Sequence, residues 1–335
     1  MKSFDFYQVE CPKCHGALNS VSPLSCETIC PFCGVEYCIT ANMTKETPMP
    51  EQIVPFNTSV GDFEMSARNM LASQDFAPVD ISGYISFKGV LGFYLPVYLY
   101  KGQYECSWSS VADAKNARPQ SGVSKGEYAM VILACEGVET CSELAEYVCT
   151  LNYRDDGIQQ FQIDDLNGRF FLTRNRDEQN MWSKWGESNL NSLIRKKIQS
   201  AEVDNVKSEM TSNPTGEAIL MFYPVWMLAF QYDGEQHHIF MDGAGNNGIQ
   251  GTTLIDRELK AKIEKPFKIL KYIAVAAIVI PFLILLANWY WAAIIALIAF
   301  GLVFFAFRFY ARWRKSKLIG KARKQRTLSL KHKNK

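Results

Sequence analysis

Cys11-Pro12-Lys13-Cys14 is followed after 15 residues by Cys30-Pro31-Phe32-Cys33-Gly34, and this pair of C-x2-C turns decides how the first part of the chain is read. A two-residue gap lets one tight turn aim two thiolates at a single ion. Two such turns complete a closed tetrahedral shell of four sulfurs, the arrangement of a structural zinc site. Gly16 and Gly34 follow the second cysteine of each turn, where small residues let backbone N–H groups approach the sulfurs. A segment of this size buries little core, so metal binding would supply its folding free energy. Residues 1–41 are therefore expected to form a zinc ribbon with Cys11, Cys14, Cys30 and Cys33 as ligands to one Zn²⁺. Iron is the alternative occupant, because soft thiolates accept either metal. Cys26 and Cys38 break the two-turn symmetry and read as spare buried thiols, and His15 as a solvated side chain. The sequence assigns no role to Cys106, Cys135, Cys141 or Cys149.

Charge argues against nucleic acid as the ribbon's partner. Residues 1–41 carry Lys2 and Lys13 against Asp5, Glu10, Glu27 and Glu36, and a Zn²⁺ with four thiolates adds two more negative charges. Phosphate binding needs a cationic face.

The other decisive stretch runs from Tyr272 to Phe307, 36 residues without a charge, bounded by Lys271 and Arg308. One straight helix of that length would be about 54 Å, against a hydrocarbon core of about 30 Å. Two spans, 272–287 and 291–307, turning at Asn288-Trp289-Tyr290-Trp291, fit better. The aromatic turn suits an interface, and Pro281 would kink the first span. A single tilted helix and a buried hairpin are the alternatives. Arg257, Lys260, Lys262, Lys265, Lys268 and Lys271 precede the first span, and Arg308, Arg312, Arg314, Lys315 and Lys317 follow the second, so both termini are expected on the cytoplasmic side. That side keeps thiols reduced. The N-terminus, MKSFDFYQVECPKC, lacks the apolar run of a signal peptide. Residues 308–335 hold 12 Lys/Arg and no Asp/Glu, while 1–307 hold 24 Lys/Arg against 34 Asp/Glu. The tail is thus expected to lie against anionic headgroups.

Between these ends, 42–52 is polar, holds two prolines and reads as a linker. Ser59-x-x-Asp62 is a capping-box signal ahead of Val60, Phe63, Ala67, Met70 and Leu71 at helical spacing. Strands are expected over 93–100, 103–109 and 128–135, a polar loop over 111–126 and a short helix over 139–151. Residues 178–212 read as one long helix, followed by strands 222–230 and 236–241. Tyr94-Leu95-Pro96-Val97-Tyr98 and Tyr223-Pro224-Val225-Trp226 share a kernel, each continuing into a hairpin turned at glycine. The expectation is a duplicated α+β region, 53–152 and 153–256, with each proline at a sheet edge. Two unrelated hairpins are the alternative. The overall class is α+β, with 257–307 as basic flank and transmembrane hairpin. No phosphate-binding G-x-x-x-x-G-K-[ST], H-E-x-x-H or G-x-S-x-G motif is present. His237 and His238, adjacent on a strand, point to opposite faces and cannot easily share a metal; they read as solvated or packing residues. Asp242–Gly248 reads as a turn.

The two Cys-Pro-x-Cys turns, Ile53-Val54-Pro55-Phe56 ahead of a helix, the Tyr-x-Pro-Val-Tyr and Tyr-Pro-Val-Trp strands and the terminal hydrophobic spans together resemble the bacterial TFIIB-type zinc-ribbon membrane proteins. The resemblance implies a multi-pass protein of the bacterial inner membrane and an association with membrane-stress systems of the phage-shock type. Such proteins are often labelled primosomal or helicase-like, yet this chain has no ATPase motif. The function expected is that of a non-catalytic adaptor, holding a cytosolic or membrane protein partner at the inner face and touching lipid through its basic tail. The alternative is nucleic-acid binding at the membrane, and an enzyme of unrecognised type is the third.

Overall fold

The computed structural model describes residues 3–22, 27–30, 32–38, 44–110, 121–135, 142–151, 153, 157–199, 206–214, 218–265 and 290–332. The described residues divide into two compact units. The first comprises 1–64 and 86–251, the second 65–85 and 252–335.

The first unit is a mixed α+β body built on a 12-stranded sheet. Its spine is a pair of long antiparallel strands, β7 (Leu91–Ser110) and β12 (Ile219–Tyr232). Their apolar runs are uninterrupted because both faces are covered. Phe93, Leu95, Val97 and Leu99 of β7 and Met221, Tyr223, Val225 and Met227 of β12 share one core cluster. Tyr94 and Phe222 turn to the opposite face.

The two shared kernels face each other across this pair. Leu95 lies opposite Tyr223, Tyr94 opposite Pro224, and Pro96 opposite Phe222. The flanking strands repeat the same exchange. β10 (Phe170–Phe171) runs parallel to β7 at Phe93 and Tyr94, and β6 (Gln52–Ile53) runs parallel to β12 at Met221 and Phe222. Leu172 N–H donates to the Tyr94 carbonyl and Val54 N–H to the Phe222 carbonyl, each at 2.9 Å. One step along, β8 (Ser121–Leu133) takes over beside β7 from Val97, and β13 (Glu235–Asp242) beside β12 from Val225. Ala134 N–H then reaches the Pro96 carbonyl at 2.8 Å, and Gly243 N–H the Pro224 carbonyl at 2.9 Å. The prolines therefore sit inside the sheet rather than at its edge. Each lies where one neighbouring strand has ended and the next begins, and the carbonyls of 94 and 96 both face that seam. N–H and C=O of a strand residue share a side, so the missing N–H falls where a ladder bond would be interrupted anyway.

The expected linker is part of the same sheet. β5 (Thr44–Pro48) pairs with β1 (Ser3–Glu10), and β6 lies within 42–53. β1 also pairs with β2 (Ala17–Ser20), which meets β10 at Asn19. Among the described residues, β3 (Glu27–Ile29) and β4 (Glu36–Cys38) form a separate two-stranded sheet. β9 (Gln159–Gln160) adds to β6, and β14 (Ile249–Gly251) to β13.

Three further expectations change. The strands expected over 93–100 and 103–109 are one continuous strand, β7, in which Lys101 and Gly102 pair with Ala129 and Tyr128 of β8 instead of forming a turn. The helix read over 178–212 is α3 (Glu178–Met181), a π-turn Trp182–Gly186 and α4 (Glu187–Gln199); 206–214 is instead strand β11 (Val206–Pro214), paired along β7. The distal half of β7 is long enough to need partners on both sides, and β8 and β11 supply them. Of the polar stretch 111–126, residues 121–126 are already in β8, paired with β7, and 111–120 lie outside the described residues. Glycines in β8 make room for rings on β7: Gly122 lies opposite Trp108 and Gly126 opposite Tyr104. α2 (Ser142–Thr150) covers the first core cluster with Leu144, Tyr147 and Val148.

α1 (Val60–Ser73) starts where the sequence signal places it. Ser59 N–H donates to Asp62 Oδ2 at 2.8 Å and Asp62 N–H to Ser59 Oγ at 3.2 Å, the reciprocal capping box. These bonds hold the Asp62 carboxyl below its usual value.

The second unit joins the later part of α1 and residues 74–85 to α5 (257–265) and α6 (Tyr290–His332). Asp256 caps α5 by accepting from Leu259 N–H at 2.9 Å. Lys315 of α6 pairs with Glu264 of α5 at 3.1 Å. The basic segment 308–332 continues α6 without interruption, and a stripe of it is packed inward: Ala322 and Arg326 are buried and Ser329 Oγ donates to the Val79 carbonyl. Among the described residues no helix is long and apolar enough to cross a membrane. The first expected span, 272–287, lies outside the described residues; the second, 291–307, is described as backbone of α6, with its side chains other than that of Phe305 outside the described ones.

Candidate metal centre

Each Cys-x2-Cys turn closes with the same two backbone bonds. Cys11 N–H donates to the Gly16 carbonyl at 3.0 Å and His15 N–H to the Cys11 carbonyl at 2.9 Å; Cys30 N–H donates to Val35 at 2.8 Å and Gly34 N–H to Cys30 at 2.8 Å. The residue after the second cysteine is left-handed in both, with φ of 57° at His15 and 69° at Gly34. Glycine takes this conformation without cost. His15 takes it at the surface, where its Nδ1 lies 2.7 Å from Glu10 Oε1.

The turns bring the four sulfurs together. Cys11 Sγ lies 3.6 Å from Cys33 Sγ, Cys14 Sγ 3.6 Å from Cys30 Sγ, and all four are within 4.8 Å of one another. Sulfurs placed tetrahedrally about 2.3 Å from one ion are separated by about 3.8 Å, so the donor set and its spacing fit a metal ion. Backbone donors already point at the sulfurs. The N–H groups of Cys14 and Lys13 address Cys11, those of Cys33 and Phe32 address Cys30, and that of Gly16 addresses Cys14. Burial, the largest influence at Cys11, Cys14 and Cys30, pushes thiols up, raising Cys14 to about 11 and Cys30 further. At Cys11 burial is outweighed by the backbone and thiol hydrogen bonds, which bring it down to about 7. A divalent cation removes this conflict by stabilising all four thiolates.

The cluster is part of the body rather than an appendage. Cys11, Cys30 and Cys33 are buried in the same core as Phe93, Leu95, Met227 and Phe240. Phe32, fully buried between the second pair of ligands, packs edge-on against Phe93, and its Cδ2 approaches Gly16 so closely that a Cβ there would lie 2.5 Å away. Gly16 thus serves two needs: its N–H reaches a thiol, and its bare Cα admits Phe32.

Among the described residues, the remaining cysteines do not join the site. Cys38 is exposed rather than buried, because the outer face of β4 meets solvent, while Cys106 and Cys135 are buried in the sheet core and burial raises the Cys149 thiol. Cys26 and Cys141 lie outside the described residues.

His237 and His238 are both buried, not solvated. His237 lies among the rings of Phe230 and Tyr232. His238 faces the metal turn: its Nε2 is 2.9 Å from the Phe32 carbonyl oxygen and its Nδ1 3.2 Å from Glu143 Oε2. Gln236 also donates to the Phe32 carbonyl. Alternation along β13 separates the two histidines, but nothing in the sequence shows which element each face meets.

Asp242–Gly248 is a turn organised by the fully buried Asp242 carboxylate. It accepts from Ala244 N–H at 2.8 Å, Asn246 and Asn247 N–H at 2.9 Å, and Asn247 Nδ2 at 2.8 Å.

Comparison of the chain with protein-family models, with curated proteins and with solved structures finds no match. The resemblance to TFIIB-type zinc-ribbon membrane proteins rests on the motifs alone.

Proposed function

We propose that the chain is a membrane-anchored, non-catalytic adaptor whose zinc-stabilised body holds a protein partner at the cytoplasmic face of a membrane. The observation that carries this reading is the closed sulfur cluster. Four protein ligands complete the shell of a Zn²⁺, leaving no position for a substrate, and three of the four are sealed in the principal core. Zinc at such a site supplies folding free energy rather than chemistry. The ribbon also lacks the cationic face that nucleic acid requires.

Three features support the membrane hairpin. The uncharged stretch 272–307 is long enough for two spans of about 25 Å. Glu264 and Lys315 pair at 3.1 Å, and in the sequence Asn288 lies 24 residues after the first and Trp291 24 residues before the second, so the expected turn is equidistant from the two. On α6, exposed Phe305, Phe309, Tyr310 and Trp313 are interleaved with Arg308, Arg312 and Arg314, and Lys317 lies over the Trp313 ring at 4.2 Å. Aromatic rings and cations mixed in this way collect at headgroup level. In the same reading, the equivalent ladder exchanges around Pro96 and Pro224 are the trace of a duplicated α+β unit.

The test combines topology with capture. A label that cannot cross the membrane should fail to reach either terminus in intact cells. Crosslinking in native membranes should recover a reproducible protein that the Cys30→Ser, Cys33→Ser chain loses. An outward-facing terminus, or the same proteins recovered with both chains, would refute the adaptor reading.

A further inference from the structure

The second metal turn is backed by side chains from elsewhere in the fold, and the connection runs through one peptide bond. The Phe32 carbonyl belongs to the peptide that also carries the Cys33 N–H. A trans peptide directs these two groups oppositely. The Cys33 N–H points at Cys30 Sγ. On the other side the Gln236 amide donates to the carbonyl oxygen, and His238 Nε2, 3.1 Å from Gln236 Nε2, lies 2.9 Å from the same oxygen and is a second donor in the Nε2–H tautomer; both residues come from β13. Donors placed on a carbonyl strengthen the N–H at the other end of the peptide, because hydrogen bonds in series polarise one another.

His238 is itself held in place. Its ring is buried, stacked on Phe240 at an interplanar angle of 20°, and its second nitrogen meets Glu143 in the first turn of α2. Lys13, in the place of the first turn that Phe32 occupies in the second, is exposed. The two halves of the metal centre are therefore supported unequally.

We propose that His238 and Gln236 are positioning residues for the metal. They orient and polarise the Phe32–Cys33 peptide toward the Cys30 thiolate, so retention of the ion depends on β13 and, through Glu143, on α2. Outer partners of this kind typically change metal affinity by about 10–100-fold. This inference rests on the reading that the four sulfurs hold zinc.

The test uses the full chain in detergent under reducing conditions, loaded with Zn²⁺ and challenged with a chromophoric chelator. His238→Phe keeps the ring and its stacking but removes both nitrogens, and it should lose zinc about 10–100-fold more readily. Gln236→Met should show a smaller shift in the same direction. His238→Gln, which restores an N–H donor, should return most of the loss. Ile194→Val, in the core beneath α4, removes buried volume away from the ribbon and should leave retention unchanged. With Co²⁺ in place of Zn²⁺, His238→Phe should keep four thiolates yet shift the sulfur-to-cobalt charge-transfer band. Zinc held equally by His238→Phe and the parent, or an equal loss in Ile194→Val, would overturn the proposal. A parent chain that binds no metal would refute the zinc reading itself, a separate outcome visible before any variant is made.

Discussion

Replacing Arg326 with methionine should loosen the second unit while leaving the large sheet intact. The Arg326 side chain is fully buried, and its guanidinium spans the C-terminal end of α1. Nη1 donates to the carbonyls of Leu71 at 3.3 Å and Ala72 at 3.4 Å and to that of Gln74, and Nη2 donates to Asp75 at 3.1 Å. The last turn of α1 contains no basic residue of its own, so α6 supplies the cation that a helix C-terminus favours. Hydrogen bonds from a charged donor contribute about 1.5–3 kcal/mol each. Burying the guanidinium offsets part of that gain, and the same burial lowers its pKa. Losing the fan of bonds should therefore cost about 2–4 kcal/mol. At about 1.4 kcal/mol per decade, amides of 65–80 that exchange through local opening should exchange about 30- to 1,000-fold faster. Arg326→Lys keeps the charge but not the planar fork and should recover only part of the protection. Hydrogen exchange followed by mass spectrometry on the full chain reads this directly. Unchanged exchange over 65–80, or an equal acceleration over β7 and β12, would refute the reasoning.

Gly16→Ala places a Cβ 2.5 Å from the Phe32 ring, an overpacking expected to cost about 1–3 kcal/mol and to weaken metal retention; an unchanged denaturation midpoint would argue against it. Asp242→Asn should destabilise the 242–248 turn by about 1–3 kcal/mol, because an amide nitrogen cannot accept from the donors that converge there; local exchange over 243–248 checks this. The Asp62 carboxyl, depressed by its bonds to Ser59, contributes its stabilisation in full above the unfolded value of 3.8 and loses it as pH falls through the lower folded value. Acid titration of α1 exchange should show that loss, and Ser59→Ala, which removes the hydroxyl bond but keeps the backbone one, should reduce it.

What the sequence made legible were features that act locally. Ligand spacing identified the four cysteines, a Ser-x-x-Asp pair marked the start of α1, and Asp233-Gly234 marked the β12–β13 hairpin, whereas Lys101-Gly102 looked like a turn and is the middle of β7. What it hid depends on distant partners. Thr44–Pro48 is polar and ends the sheet path, with β1 as the partner of β5 among the described strands, so its composition resembles a linker. Val206–Pro214 has no alternating apolar pattern, and it is a strand because β7 extends past β12 and offers a ladder on that side. Arg326 is one of 12 basic residues in 308–335, and only packing distinguishes the buried cation from its solvated neighbours. His238 is similar: alternation assigns it a face, but the opposing metal turn comes from 206 residues away. The fusion of ribbon and sheet was also invisible, because each part carries a sufficient local signal of its own. One practical consequence follows for truncation. Cutting near 260 would remove α6 from residues 65–85, leaving Leu71 and Ala72 without the guanidinium that binds them.

Metal content of the full-length chain, purified under reducing conditions, tests the account at its centre. About one zinc per chain is expected, with Cys11, Cys14, Cys30 and Cys33 protected from alkylation until a chelator removes the ion, and with exchange over β7 and β12 rising once it is gone. Zinc-free protein whose four thiols alkylate at once, or which holds them as disulfides, would contradict it.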